Sequence, residues 1–404
     1  MTNELKNVPE LRFPEFEGEW EEKRLKDISK INPKYEDSFP SEFNYIDLES
    51  VKKGKIYKIS RYTMHNAPSR AQRVAKKGDI FFQTVRPYQQ NNFVFVDDSY
   101  PTVVSTGYAQ LRSNLNPSYL DNLLLTTSFL NKVLVKCTGS NYPAINSSDL
   151  SNIQLKITSN INEQQKIGEF FSKLDQQIEL EEQKLAKLEE QKKGYMQKIF
   201  SQELRFKDEN GNDYPNWIFE ELNNIFTKYQ NTIYLHDNEE YKRISISNKG
   251  KITHRDITFG KTIGRKRQYL IDLKKHPNTL TFIRQGVFLG GIGFIPISLD
   301  GYIVTENMPL LSMSEEYSKK FMTYLFSSES YYKSVIFKNL PTGSAQKALH
   351  EKDWLKSFVN IPVYSEQEKI GNFFEKQDNL IKKQSDKVEL LKERKKGFLQ
   401  KMFV

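Results

Sequence analysis

Basic and amide side chains able to meet phosphates and base edges gather in two stretches of this chain. Residues 50–90 hold ten Lys and Arg, among them Lys52, Lys53, Arg61, Arg70, Arg73 and Arg86, against one acid, Asp79. Residues 241–292 hold twelve, among them Arg243, Arg255, Lys261, Arg265, Lys266, Arg267 and Arg284, against Asp256 and Asp272. Lys and Arg neutralise phosphates and give salt-sensitive affinity, while Arg, Gln and Asn can grip guanine or adenine edges at two points. The densest cluster is Arg86-Pro87-Tyr88-Gln89-Gln90-Asn91-Asn92, directly after a predicted strand. A solvated face is the simplest account of any charge run, and a polar hairpin loop would equally explain 86–92. Two such stretches at corresponding places, with Tyr62, His65 and His254 interleaved, favour nucleic-acid contact.

Other chemistry finds little support. Gly260-Lys261-Thr262 lacks the upstream glycine of a phosphate loop, and Gly290-Gly291-Ile292-Gly293 reads as turn geometry. The five histidines show no metal-ligand spacing. Asn32-Pro33-Lys34-Tyr35 and Asn116-Pro117-Ser118-Tyr119 superficially resemble the Asn-Pro-Pro-Tyr signature of amino-methyltransferases, but each lacks the second proline and reads as a turn or helix start. The single cysteine, Cys137, excludes a disulfide framework and points to a reducing cytoplasm. No catalytic constellation emerges, and no metal site is expected.

The elements that must position these residues are legible from a repeat. Residues 163–200 and 366–403 share 19 of 38 positions at an offset of 203 without a gap. Leu11-Arg12-Phe13 with Trp20 is echoed by Leu204-Arg205-Phe206 with Trp217, and Thr138-Gly139-Ser140 by Thr342-Gly343-Ser344. The chain is thus a tandem duplication of variable block and helix. In steps of four and three, the first helix presents Ile167, Phe171, Leu174, Ile178, Leu185 and Leu188, and the second Ile370, Phe374, Ile381, Val388 and Leu391. That is a coiled-coil seam, polar in both copies at Glu181/Gln384 and Lys192/Lys395. Each helix would run roughly 57 Å at 1.5 Å per residue, and two similar amphipathic helices in one chain are natural partners. Packing of each helix on its own domain is the alternative. The Lys192-Lys193 and Arg394-Lys395-Lys396 clusters would complement the helix dipoles or meet a partner.

Both variable blocks read as α+β, with a β-rich front and a helical back. Predicted strands lie at 78–82, 92–96 and 102–104, then at 280–283, 286–289 and 301–304; predicted helices cover 117–135 and 316–337. Domain boundaries follow at 1–160, 161–203, 204–365 and 366–404. Net charge is +9, yet the two basic stretches carry +9 and +10, so the remainder is acidic. Mean hydropathy is −0.66 and no apolar run approaches a membrane span, so no membrane association is expected; residues 1–20 show no secretory signal pattern.

These features together resemble the specificity subunit of type I restriction–modification enzymes. The resemblance is carried by Leu11-Arg12-Phe13-Pro14, Glu163-Gln164-Gln165-Lys166-Ile167 with Phe170-Phe171 and Asp175, Lys192-Lys193-Gly194-Tyr195, their second copies, and the Thr-Gly-Ser loops. It implies two target-recognition domains in pseudo-two-fold arrangement, each reading one half of a split duplex DNA site, joined by an antiparallel coiled coil. It implies two methyltransferase subunits and translocase-endonuclease subunits as partners. S-adenosylmethionine would sit on the methyltransferase, with no cofactor on this non-catalytic chain. The Thr-Gly-Ser loops add Ser140, Asn141, Ser344, Gln346 and Lys347 as candidate DNA contacts. A self-sufficient methyltransferase-like enzyme, or a rod with two protein-binding heads, stands as the alternative.

Overall fold

A computed structural model describes residues 7–339 and 348–404. The chain divides into two compact units, 1–183 with 386–404, and 184–385. The cut passes through both long helices, the central helix Ile161–Phe200 and the C-terminal helix Tyr364–Lys401. Each unit therefore contains one variable block and part of each helix.

In the first unit, one sheet runs in the order Ser60–Thr63, Glu42–Ile46, Thr102–Ser105, Ala71–Val74, with the two middle strands parallel. A second, antiparallel sheet runs Ser29–Ile31, Tyr108–Ser113, Ile80–Gln83, Phe93–Val94. A ribbon pairs Glu21–Arg24 with Gln154–Ile157. The second unit repeats this wiring. Its antiparallel sheet is Phe226–Tyr229, Leu310–Met313, Thr279–Phe282, Ile292–Phe294. Its mixed sheet is Ile252–Phe259, Glu240–Ile246, Ile303–Val304, Arg267–Leu270, extended by one edge strand, Thr232–Tyr234. The parallel pair again lies in the middle, and Ile218–Glu221 with Phe358–Ile361 forms the ribbon. The blocks barely match in sequence but share one topology, because alternating apolar positions, rather than residue identities, set strand pairing.

Local chemistry shifts several expected boundaries. The helix expected over 117–135 is two helices, Pro117–Leu124 and Thr127–Val135. Asn116 caps the first through the Tyr119 amide, and Thr126 caps the second through the Phe129 amide, which breaks the run. The strand expected at 286–289 is instead a 3-10 turn, Val287–Leu289, closed by Gly290 at φ 107°. That left-handed conformation is strained for residues with a Cβ and natural for glycine.

The repeated motif explains how each block holds its helix. Glu163, fully buried near the start of the central helix, accepts from Arg12 Nε (2.7 Å) and Nη2 (2.9 Å). Glu366 does the same with Arg205 (3.2 and 2.7 Å) and also accepts from Trp217 Nε1. The next residue is a glutamine in both copies. Gln164 accepts from the Asn116 amide and donates to Thr158 O, while Gln367 accepts from the Ser318 amide and donates to Pro362 O. One turn on, a Cβ on Gly168 would lie 2.7 Å from Asn116 Oδ1, and one on Gly371 2.6 Å from Lys320 Cβ. Glu-Gln-x-Lys-Ile-Gly is therefore a docking module. The carboxylate satisfies a guanidinium, the amide satisfies backbone at the neighbouring helix start, and glycine permits close approach.

The seam divides its labour. Ile167 and Phe171 join the first unit's domain core with Met402 and Phe403. Ile370 and Phe374 join the second unit's core with Ile199 and Phe200. Leu174 and Ile178 meet Leu391 across the helix pair, Val388 is buried, and Leu185, Leu188 and Ile381 are half-buried. Within the first unit, Asp175 pairs with Lys395 (2.6 Å) and Glu181 with Lys387 (2.5 Å). Within the second, Lys192 pairs with Asp378 (2.5 Å) and Tyr195 packs edge-on against Phe373. In each unit residue numbers rise on one helix as they fall on the other, which is antiparallel pairing. The polar seam lysines are explained: Lys192 and Lys395, copies of one another, each meet the copy of the same aspartate.

Candidate nucleic-acid interface

In the first unit the loop after strand Ile80–Gln83 is built by its own amides. The buried Gln83 donates to Val85 O (2.7 Å) and Gln89 Oε1 (2.8 Å) and accepts from the Asn91 amide. Gln90 donates to Leu125 O, and Asn91 Oδ1 accepts from the Lys53 amide. Arg86 and Gln90, at φ 55° and 51°, bracket the turn Pro87–Gln89. Gln89, Gln90 and Asn91, expected as base readers, thus spend hydrogen-bonding capacity on shaping the loop. Tyr88 and Gln89 are exposed on this turn, and Arg86 is half-buried beside them.

Tertiary structure brings a distant segment to this loop. Val85 bridges to Ala144, the Arg86 amide donates to Pro143 O, and the Arg86 guanidinium lies 4.5 Å from the Tyr142 ring centroid. Ser140, Asn141 and Tyr142 are exposed on that Thr-Gly-Ser loop, where Gly139 adopts φ 90°. Arg86, Tyr88, Ser140, Asn141 and Tyr142 thus form one patch. Tyr142 escaped the sequence reading, its only signal being an aromatic beside a glycine turn. Lys53, at φ 49°, turns the ribbon Val51–Lys52/Lys55–Ile56 and reaches the same loop through Asn91.

The remaining cations of the first basic stretch are mostly free of acids. Among the described residues, the only Lys or Arg of the 50–90 stretch in an ion pair is Lys55, held by Glu179 of the central helix. Lys52, Lys53, Arg61 and Arg70 are exposed, with Arg61 stacked over Tyr100 at 4.7 Å. Arg73 differs: it is half-buried, its Nε has no hydrogen-bond partner, and burial lowers its pKa. Asp79, the one acid, is fully engaged by Arg112, Gln110 and the Lys76 amide.

The second basic stretch is arranged differently. Arg243 is clasped by Asp256 through two 2.7 Å bonds, with Arg255 3.6 Å away. Arg265 and Arg267 share Glu306, and Lys266 pairs with Asp237. Lys261 lies over the Phe259 ring at 5.6 Å. Arg284 donates to Glu351 Oε2 from Nε (2.8 Å) and Nη2 (2.5 Å), while Lys228 donates to Oε1. Burial works to raise the Glu351 pKa, but bonds from Lys228, the backbone and Arg284 outweigh it and bring it down to about 2. Arg284, expected among the DNA contacts, is thus half-buried and tied to Glu351 within the unit. Ser344, Gln346 and Lys347 lie outside the described residues.

The Asn-Pro segments resolve as scaffold. Asn32 ties Ser147 to the Gln110 amide, and Asn116 is a helix cap. Among the described residues no cluster of His, Cys, Asp or Glu could hold a metal, and no helix is long and apolar enough to cross a membrane.

The chain is thus a duplicated block-and-helix fold whose first unit carries exposed cations. Residues 17–190, less than half of the chain, match the family model described as the Type I restriction modification DNA specificity domain. The chain is 30% identical over 176 residues to the Type I restriction enzyme HindI specificity subunit of Haemophilus influenzae. That match spans 41% of this chain and 37% of the relative's length. Two solved structures share the fold across nearly the whole chain. One, described as the structural basis of complex assembly and conformational transition of the type I R-M system, has a TM-score of 0.61 at 17% identity and covers 95% of this chain and 97% of its own. The other, a Type-I restriction-modification system S subunit from M. genitalium, has a TM-score of 0.55 at 15% identity, covering 98% and 99%.

Proposed function

We propose that this chain is the DNA-reading subunit of a type I restriction–modification system. Each unit reads one half of a bipartite duplex site and thereby directs adenine methylation or cleavage by partner subunits. The observation that carries this reading is one shared topology and one shared helix-docking module beneath different exposed loops. Such a design keeps the frame constant and lets each reading surface vary, which is what two independent half-sites require. Two methyltransferase subunits and the translocase-endonuclease subunits supply the chemistry in the cytoplasm. S-adenosylmethionine sits on the methyltransferase, and this chain is non-catalytic.

Replacing residues 204–365 by the equivalent block of a relative tests the assignment. The methylated motif, mapped in DNA from cells expressing the chimera with its methyltransferase, should change in its second half alone. A change in both halves defeats the one-unit-per-half-site reading.

A further inference from the structure

The second unit contains a cavity of about 890 Å³. It lies among the turn at 248–251, the glycine-rich turn after strand Thr279–Phe282, and the helix Lys319–Leu325. Its wall depends on glycine. A Cβ on Gly290 would stand 1.8 Å from Asn248 O, and those on Gly250 and Gly293 each 2.2 Å from a facing carbonyl oxygen. Gly290-Gly291-Ile292-Gly293 is thus conformational in a specific way: it lets two loops close against each other at the cavity's edge.

Charge in the cavity is one-sided. Four lysines line it, Lys192, Lys249, Lys251 and Lys319, and no acidic side chain does among the described residues. Lys192 is neutralised by Asp378. Lys249, Lys251 and Lys319 make no ion pair among the described residues. Lys319 is half-buried with its Nζ 5.4 Å from the Phe294 ring, and burial lowers its pKa, so an arriving anion would stabilise its charged form. Phe294, Tyr324 and Tyr332 supply aromatic walls beside these ammonium groups. Cationic groups interleaved with ring faces suit a ligand with a phosphate and a planar base, and the volume lies within the usual range for such sites.

We propose that this cavity is a nucleotide-phosphate site in which Lys249, Lys251 and Lys319 hold the phosphate and the aromatic walls hold the base. The ligand is a free nucleotide or a nucleotide of a DNA strand, and the site stands independently of the specificity-subunit reading.

The full chain is titrated calorimetrically with ATP, with inorganic tripolyphosphate and with a short duplex of arbitrary sequence. ATP should bind at one site, more tightly than tripolyphosphate, which has no ring. K249Q/K251Q, both exposed positions, should weaken ATP binding at least tenfold, K249R/K251R should retain it, and K319M should weaken it similarly. Displacement of ATP by the duplex, or duplex binding weakened by the same variants, assigns the phosphate to DNA. ATP binding untouched by the duplex assigns it to a free nucleotide. Variants that bind ATP as the wild type does overturn the proposal, as does absence of ATP binding together with duplex binding that none of the variants alters.

Discussion

Replacement of Glu351 by Gln probes whether the second unit's basic stretch is a structural network. Glu351 is buried at 7% exposure and holds both Arg284 and Lys228. Its pKa falls from the ordinary 4.5 to about 2, a depression of roughly 2.5, which at about 1.4 kcal/mol per unit corresponds to about 3 kcal/mol. Because the folded pKa is depressed, this stabilisation is present above about pH 4.5 and is lost as pH falls toward 2. E351Q should therefore lower stability by about 3 kcal/mol at pH 7, and more to the extent that Arg284 is left buried without a counter-charge. For a unit of this size the loss corresponds to a drop of roughly 6–12 °C in the unfolding midpoint. Calorimetric scans of wild type and variant at pH 7 and pH 3 measure it. The gap should narrow markedly at pH 3. An E351Q melt indistinguishable from wild type at pH 7, or a gap that does not depend on pH, refutes the network and returns Arg284 to the pool of available cations.

Three further outcomes follow from the same geometry. R86A, and separately Y142A, should weaken duplex binding by the chain with its proposed methyltransferase roughly tenfold, and R86A should reduce the salt slope by about one, read by fluorescence anisotropy at several salt concentrations. An unchanged slope would remove Arg86 from the interface. Neutralising Lys52, Arg61 and Arg70 together should cost more affinity than neutralising Arg265, Lys266 and Arg267, whose charges already face Glu306 and Asp237; the reverse order contradicts the charge asymmetry. Asp121, on the helix Pro117–Leu124, has its pKa raised from 3.8 to about 6 by burial, with Lys395 opposing and Asp175 adding to the shift. A raised folded pKa means its contribution is full below about pH 3.8 and is lost as pH climbs through 6. D121N should accordingly be about 1–3 kcal/mol more stable than wild type at pH 8 and equal to it below pH 4 in urea unfolding.

Much of the scaffold was written locally. Nineteen identities in 38 positions exposed the duplication, and a strict four-three spacing exposed the helix seam, because a helix repeats its face every few residues. Asn116-Pro117 announced a helix start that the structure keeps. Chain continuity alone also placed the basic stretches at equivalent points of the two copies. The run 117–135 misled because Thr126 offers its hydroxyl to the backbone, a competition that apolar spacing does not register.

What only tertiary structure decided was which of those charges are available. Arg284 and Glu351 are 67 residues apart, and Arg265 and Glu306 41 apart, so composition counts them as separate when folding makes them pairs. Tyr142 comes beneath Arg86 through strand bridging between segments more than 50 residues apart in sequence. Sequence periodicity encodes contacts within a few residues of chain. Partner choice among long polar side chains depends on which loops the sheets bring together, and that follows from packing the whole unit. The sequence by itself determined a duplicated frame with paired helices and two basic stretches. The fold determined that the first stretch presents its charge and that the second spends most of its own on holding itself together.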